Sequence, residues 1–175
     1  MPKTYTSLSS NLTHLPEIVR ARCSGPLPRP GADTMIELVT CAADGWPHVA
    51  QLSVGELDLG DDGLIRLALW SGSQSSAALA FGAVAILLFT EAGSLIEVKC
   101  ELVSSAELDT DVALTGFLLA PVGVRDKNAA YAEILSGSCF RLVDPLETEE
   151  RWRLTRRALQ SCFPTRRDDK QEHNQ

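Results

Sequence analysis

Through the middle of the chain apolar and polar positions alternate with a period of two, and each alternating run ends at a turn signal. Met35 to Ala42 and His48 to Val54 are two such runs. They are joined by Asp44-Gly45, a dipeptide that tolerates the positive φ of a tight hairpin. A second turn at Asp61-Asp62-Gly63 precedes Leu64 to Trp70, where Arg66 and Trp70 fall on one strand face and Ile65, Leu67 and Leu69 on the other. Ala83 to Thr90 is apolar almost throughout, the composition of a strand covered on both sides. Glu91-Ala92-Gly93 then turns the chain into Leu95 to Val103, where Ile96, Val98, Cys100 and Leu102 alternate with Glu97, Lys99 and Glu101. Between these strands, Ser75 or Ser76 caps a short helix that runs through Phe81 and ends at Gly82.

The flanks read differently. Pro16 to Arg22 predicts an entry helix, followed by a stiff irregular connection through Gly25, Pro26, Pro28, Pro30 and Gly31. Thr110 to Ala120 carries Val112, Leu114, Phe117 and Leu118 at roughly helical spacing until Pro121, and Asp126 to Leu135 repeats the pattern up to Ser136-Gly137, so two helices are predicted there. Cys139 to Val143 predicts a last strand. Glu147 to Phe163 predicts a terminal helix with acids in its first turn and Arg156-Arg157 later, in keeping with the helix dipole. The domain reading is residues 1–34 as lead-in, 35–163 as a single barrel domain, and 164–175 as a frayed tail. Successive strands on short turns, with helices gathered afterwards, predict an α+β fold: a small antiparallel β-barrel with peripheral helices rather than a parallel sheet.

Composition narrows the function classes. The chain has 175 residues, 45% of them hydrophobic, enough for one ordinary core. A formal charge of −7 excludes nonspecific nucleic-acid binding, which needs clustered Lys and Arg to release counterions. The N-terminal MPKTYTSLSSNLTHLPEIV lacks the apolar core of a signal peptide, and the run Ala83 to Phe89 is too short to cross a bilayer as a helix. The five cysteines form no CxxC pair and read as free thiols of a reducing compartment, so a cytoplasmic location is expected. With three histidines and no ligand spacing, no metal site is expected. No Gly-x-Ser-x-Gly elbow, dinucleotide glycine motif or P-loop occurs. His48, at a strand start, reads as a surface imidazole, and the Arg151-Trp152-Arg153 and Arg156-Arg157 runs as a solvated helix face.

Three stretches carry a resemblance. DGWPHVAQLS, IRLALWSGSQSSAAL and AVAILLF, in this order and spacing, resemble the pyridoxamine 5'-phosphate oxidase-related family of FMN-binding split barrels. The similarity covers Met35 to Val103, with looser agreement to Val143. It implies a six-stranded antiparallel split barrel, a homodimer with cofactor sites between the subunits, and FMN as cofactor. It also implies that Val49, Ala50, Gln51, Leu52 and Ser53 run beside the isoalloxazine ring. Trp70 and Ser71 take the place of the family's aromatic-hydroxyl pair, and Ser73, Gln74 and Ser75 that of its Ser-Arg-Lys phosphate turn.

The chain departs from the family in charge. Gln74, Ser75 and Ala50 stand where relatives are often basic, so hydroxyls and helix N-terminal amides are left to hold the phosphate. Arg66 on the neighbouring strand, or a basic side chain of another subunit such as Arg125 or Lys127, is a candidate for the missing cation. From the residues alone, Ser71 to Ser76 reads as a plain strand-to-helix connection with an N-cap, and Trp70 as a core or interface aromatic. The resemblance favours a flavin-dependent oxidoreductase, pyridoxamine 5'-phosphate oxidase-like or flavin reductase-like, acting on a small molecule. A non-enzymatic FMN- or haem-binding module and a purely structural barrel are the alternatives. Pyridoxamine phosphate oxidase itself fits less well, because the segment Arg153-Leu154-Thr155-Arg156-Arg157 lacks that enzyme's histidine.

Overall fold

The two edge strands of the main sheet are neighbours in the chain, and this alone forces the sheet to curl. The computed structural model describes residues 15–24, 27, 32–91, 93–127 and 131–165. In chain order these form α1 (Glu17–Ser24), β1 (Ala32–Thr34), β2 (Ile36–Cys41), β3 (Pro47–Leu52), a one-turn 3-10 helix (Val54–Glu56), β4 (Leu57–Leu59) and β5 (Ile65–Trp70). Then come α2 (Gln74–Gly82), β6 (Val84–Glu91), β7 (Ser94–Glu107), β8 (Leu114–Asp126), β9 (Cys139–Arg141) and α3 (Pro145–Cys162). The main sheet has seven antiparallel strands in the order β3-β2-β6-β7-β8-β5-β4. Laid flat, its edges would stand about 29 Å apart, six spacings of about 4.8 Å. The five-residue step from Leu52 to Leu57 spans at most about 18 Å. Curling into a half-barrel resolves the conflict and leaves a seam between β3 and β4.

Side-chain alternation follows the curl. Ile36 and Leu38 on β2, Leu52 on β3, Leu87 and Phe89 on β6 and Val98 and Cys100 on β7 point inward and are buried. Val19 and Cys23 of α1 join the same core. Burial pushes the thiols of Cys23 and Cys100 up to about 12.

The helix α3 straps the seam. Asp144 caps it by accepting from the Glu147 amide at 3.0 Å, and Pro145 begins it. Trp152 lies over Gly55 of the connecting turn, Arg156 donates to the Val54 carbonyl at 2.8 Å, and Gln160 donates to Asp58 at 3.0 Å. Just beyond the helix, the Phe163 carbonyl accepts from Arg66 Nε at 2.7 Å.

The hairpin, α2 and α3 stand where the alternation and capping signals place them, within a residue or two. Four expectations are corrected. The main sheet has seven strands, not six, because Leu57–Leu59 adds a short edge strand; Ala32–Thr34 pairs separately with β9. The helix expected over Thr110 to Ala120 is the strand β8. Of the helix expected over Asp126 to Leu135, residues 128–130 lie outside the described residues, and the described remainder is strand end, turn and irregular chain. Ala83 to Thr90 is fully buried on one face only: Ala85, Leu87 and Phe89 are buried, whereas Ile86 and Leu88 on the other face are half-buried and Val84 is exposed. The Gly25, Pro26, Pro28, Pro30 and Gly31 connection and residues 166–175 of the expected tail also lie outside the described residues.

Candidate functional site

The serine turn is built by β5 running out of the barrel. Ser73 accepts from the Ser76 amide on its Oγ at 3.1 Å and so caps α2, while its own amide donates to the Trp70 carbonyl at 2.9 Å. The Ala77 amide returns to the Ser73 carbonyl. The Gln74 and Ser75 amides find no acceptor among the described residues, the open donor pair that a helix start presents. Ser71 donates its amide to Ala113 and shares a hydroxyl contact of 2.9 Å with Thr115 on β8. Trp70, Ser71 and Gln74 face solvent, whereas Ser75 and Ser76 turn inward and are buried.

The second predicted segment is the edge strand β3. Val49 and Gln51 project outward and are exposed; Ala50 and Leu52 lie opposite Leu38 and Ile36 and face in. Because the sheet ends at β3, one backbone edge carries N–H and C=O groups that no strand pairs. Ser53 is committed elsewhere: its amide and hydroxyl donate to Glu56 Oε2 at 2.6 and 2.9 Å. α2 packs against β2 and β3 as well as β5 and β7, which draws the helix that starts at the serine turn onto the strand carrying Val49 to Leu52. Gly82 eases the close approach of the helix end to β2, since a Cβ there would lie 3.0 Å from the Cys41 carbonyl.

The Bacillus subtilis (strain 168) protein YclD, itself uncharacterised, is 33% identical over 119 residues, covering 67% of this chain and 77% of YclD. The chain belongs to the YclD family. No family model matches it. A solved Lactobacillus delbrueckii structure, provisionally assigned as a pyridoxamine 5'-phosphate oxidase, superposes with a TM-score of 0.51 at 14% identity, over 68% of this chain and 98% of that one. The fold of this YclD relative is therefore that of the pyridoxamine 5'-phosphate oxidase-like split barrels.

One charge assignment changes for this YclD-family barrel. Arg66 is fully buried and turned away from the serine turn: its guanidinium meets Asp62 at 2.9 and 3.1 Å and the carbonyls of Leu64 and Phe163. It stitches the 61–63 turn to the end of α3 and supplies no charge to an anion at Ser73. Lys127 pairs with Glu97 at 2.8 Å. The arginine-rich face of α3 is only partly solvated, since Trp152 and Thr155 are buried and Arg156 is spent on the seam. His48 is half-buried, with Nε2 4.0 Å from Asp44. No group of three or more metal-ligating side chains occurs among the described residues, and no described helix is long and apolar enough to cross a membrane.

Sequence reasoning missed Thr115 and Glu56. Only the pairing of β8 with β5 brings Thr115 opposite the serine turn. Glu56 was legible in principle, as a Ser-x-x-Glu box at the start of a helical turn.

Proposed function

We propose that this barrel is an FMN-binding flavoprotein, an oxidoreductase of the pyridoxamine 5'-phosphate oxidase-like or flavin reductase-like kind acting on a small molecule, and that it works as a homodimer with its cofactor sites between the subunits. The observation that carries the reading is the serine turn: the hydroxyls of exposed Ser71 and half-buried Thr115 stand beside the two unpaired amides of Gln74 and Ser75. Such neutral donors suit a phosphate, each bond being charge-assisted by the anion. On the proposed placement, the free backbone edge of Val49 to Leu52 supplies donors and acceptors to the polar rim of the ring, and Trp70 offers an exposed aromatic face. Bound there, FMN supplies the hydride or electron transfer; the chain orients it, hydrogen-bonds it and limits access of water. A second subunit has apolar surface to cover at Trp46, Val49 and Phe81, which are 72%, 64% and 68% exposed in the single chain.

A non-catalytic FMN or haem carrier is the second reading, which the neutral phosphate turn leaves open. The absorbance spectrum of freshly purified protein separates the two cofactors. A flavin spectrum, with FMN-dependent NADH oxidation, supports the oxidoreductase; a Soret band supports the haem carrier. A colourless chain that ignores added FMN overturns the proposal.

A further inference from the structure

We propose that the cleft where the end of β3, the strand β9 and the first half of α3 meet is the substrate pocket of the flavin site, and that it takes a small organic carboxylate with an apolar body, its charge paired with Arg151. The inference rests on the flavin placement along β3 proposed above, because Gln51, Leu52 and Ser53, the last residues of that segment, form one wall of the cleft. Phe140 and Trp152 face them, their rings edge-to-face at 6.4 Å and 89°. The volume, about 260 Å³, lies below the roughly 300–1,000 Å³ of sites for drug-sized ligands, so the cleft admits a small molecule beside a cofactor rather than the cofactor itself.

Charge selects the ligand. Arg153 is paired with Glu149 and Glu150, and Arg156 is bound to the Val54 carbonyl. Arg151 lines the cleft and makes no ion pair among the described residues. The one acid in the lining, Glu56, is held by the Ser53 amide and hydroxyl. Burial pushes its carboxyl up, against the pull of those hydrogen bonds and of Arg151. Among the described residues, Arg151 is the one cation of the lining, above an apolar wall and beside an acid already committed to Ser53. The opposite holds for the larger cleft of about 920 Å³ between α3 and the β7–β8 loop, where Glu107, Asp109, Asp111, Glu147 and Glu150 outnumber Arg151 and Arg157 and would repel an anion.

Hexanoate and its neutral isostere hexanamide are the probes, titrated calorimetrically into FMN-loaded and unloaded protein. Saturable hexanoate binding is expected, at least about tenfold tighter than hexanamide and about tenfold weaker in Arg151→Gln, with partial recovery in Arg151→Lys and no change in Arg153→Gln. FMN content, read at the flavin band, stays constant in all three variants. Equal binding of acid and amide, equal binding to Arg151→Gln, or FMN binding with no hexanoate signal overturns the pocket and leaves the flavin reading intact. Arg151-dependent hexanoate binding by a chain that ignores FMN overturns the flavin reading and leaves the carboxylate site standing.

Discussion

Replacing Gly55 with alanine puts a methyl group where Trp152 already is. A Cβ at Gly55 would stand 1.9 Å from Trp152 Cγ, 2.2 Å from Cδ1 and 2.3 Å from Cβ. Carbon atoms in good contact are about 3.5–4.0 Å apart, so the indole must retreat by about 1.5 Å or leave the core. Trp152 is only 3% exposed and its ring packs on Phe140, so a small retreat collides with packed neighbours. Overpacking of this kind costs about 1–3 kcal/mol, and loss of a buried tryptophan about 3–5 kcal/mol. The backbone adds no penalty, since Gly55 is not among the glycines with positive φ. Gly55→Ala should therefore lose about 3–5 kcal/mol in urea unfolding, and Trp152→Ala a similar amount. In the Trp152→Ala background the indole is gone but the Cβ of residue 152 still lies 2.3 Å from the new methyl, so the glycine substitution should cost clearly less than in the parent without becoming free. A Gly55→Ala protein within about 1 kcal/mol of the parent, or costs that simply add in the double variant, would refute the strapped seam.

Three further outcomes follow from the geometry. Asp62 is raised by burial but pulled further down, below its ordinary 3.8, by the Arg66 hydrogen bonds and the Leu64 amide. The stability it contributes is present above the ordinary value and is lost as pH falls through the lower folded value, so Asp62→Asn should flatten the fall in melting temperature below about pH 4. Mass-spectrometric mapping of thiol labelling at mildly alkaline pH should find Cys41 and Cys139 modified in the native protein and Cys23 and Cys100 only after unfolding. Thr115→Val, which removes the partner of the Ser71 hydroxyl at an exposed contact, should weaken FMN binding several-fold in a fluorescence titration while stability stays within about 0.5 kcal/mol.

Where local chemistry decides the structure, the sequence is readable. Asp44-Gly45 needs only the positive φ that Gly45 adopts, and α2 needs only a cap; the expected position of that cap shifts from Ser75 or Ser76 back to Ser73. The helix expected over Thr110 to Ala120 fails for a nonlocal reason. β8, whose pairing with β7 shifts register at Lys99/Cys100 and Leu102/Ser104, is covered on both faces: Phe117 and Leu119 enter the main core, whereas Leu114 and Leu118 pack with Leu108, Leu159 and Phe163, and Gly116 lies against Leu108 and Phe163, so the apolar spacing imitates a helix. Pro121 fits the strand because it falls opposite Cys100 at one of those shifts, where the ladder is already interrupted. Within the candidate site, the Ser71–Ser75 turn was legible as hydroxyl-rich. The capture of Ser53 by Glu56 and of Arg66 by Asp62 and Phe163 depends on turns and on the strap, which period-two patterning does not report.

The grip of the serine turn on a phosphate is the claim on which the function depends, and comparing FMN with riboflavin isolates that group. Binding of the two by flavin fluorescence, in the parent and in Gln74→Glu, tests it directly. An acid at the first helical position should stabilise α2 by about 0.3–1 kcal/mol through the helix dipole while repelling an anion at the same amides. The parent should bind FMN at least about tenfold more tightly than riboflavin, and Gln74→Glu should lose that preference with its melting temperature held or raised. Equal affinity of the parent for FMN and riboflavin, or an FMN preference that survives Gln74→Glu, would contradict it.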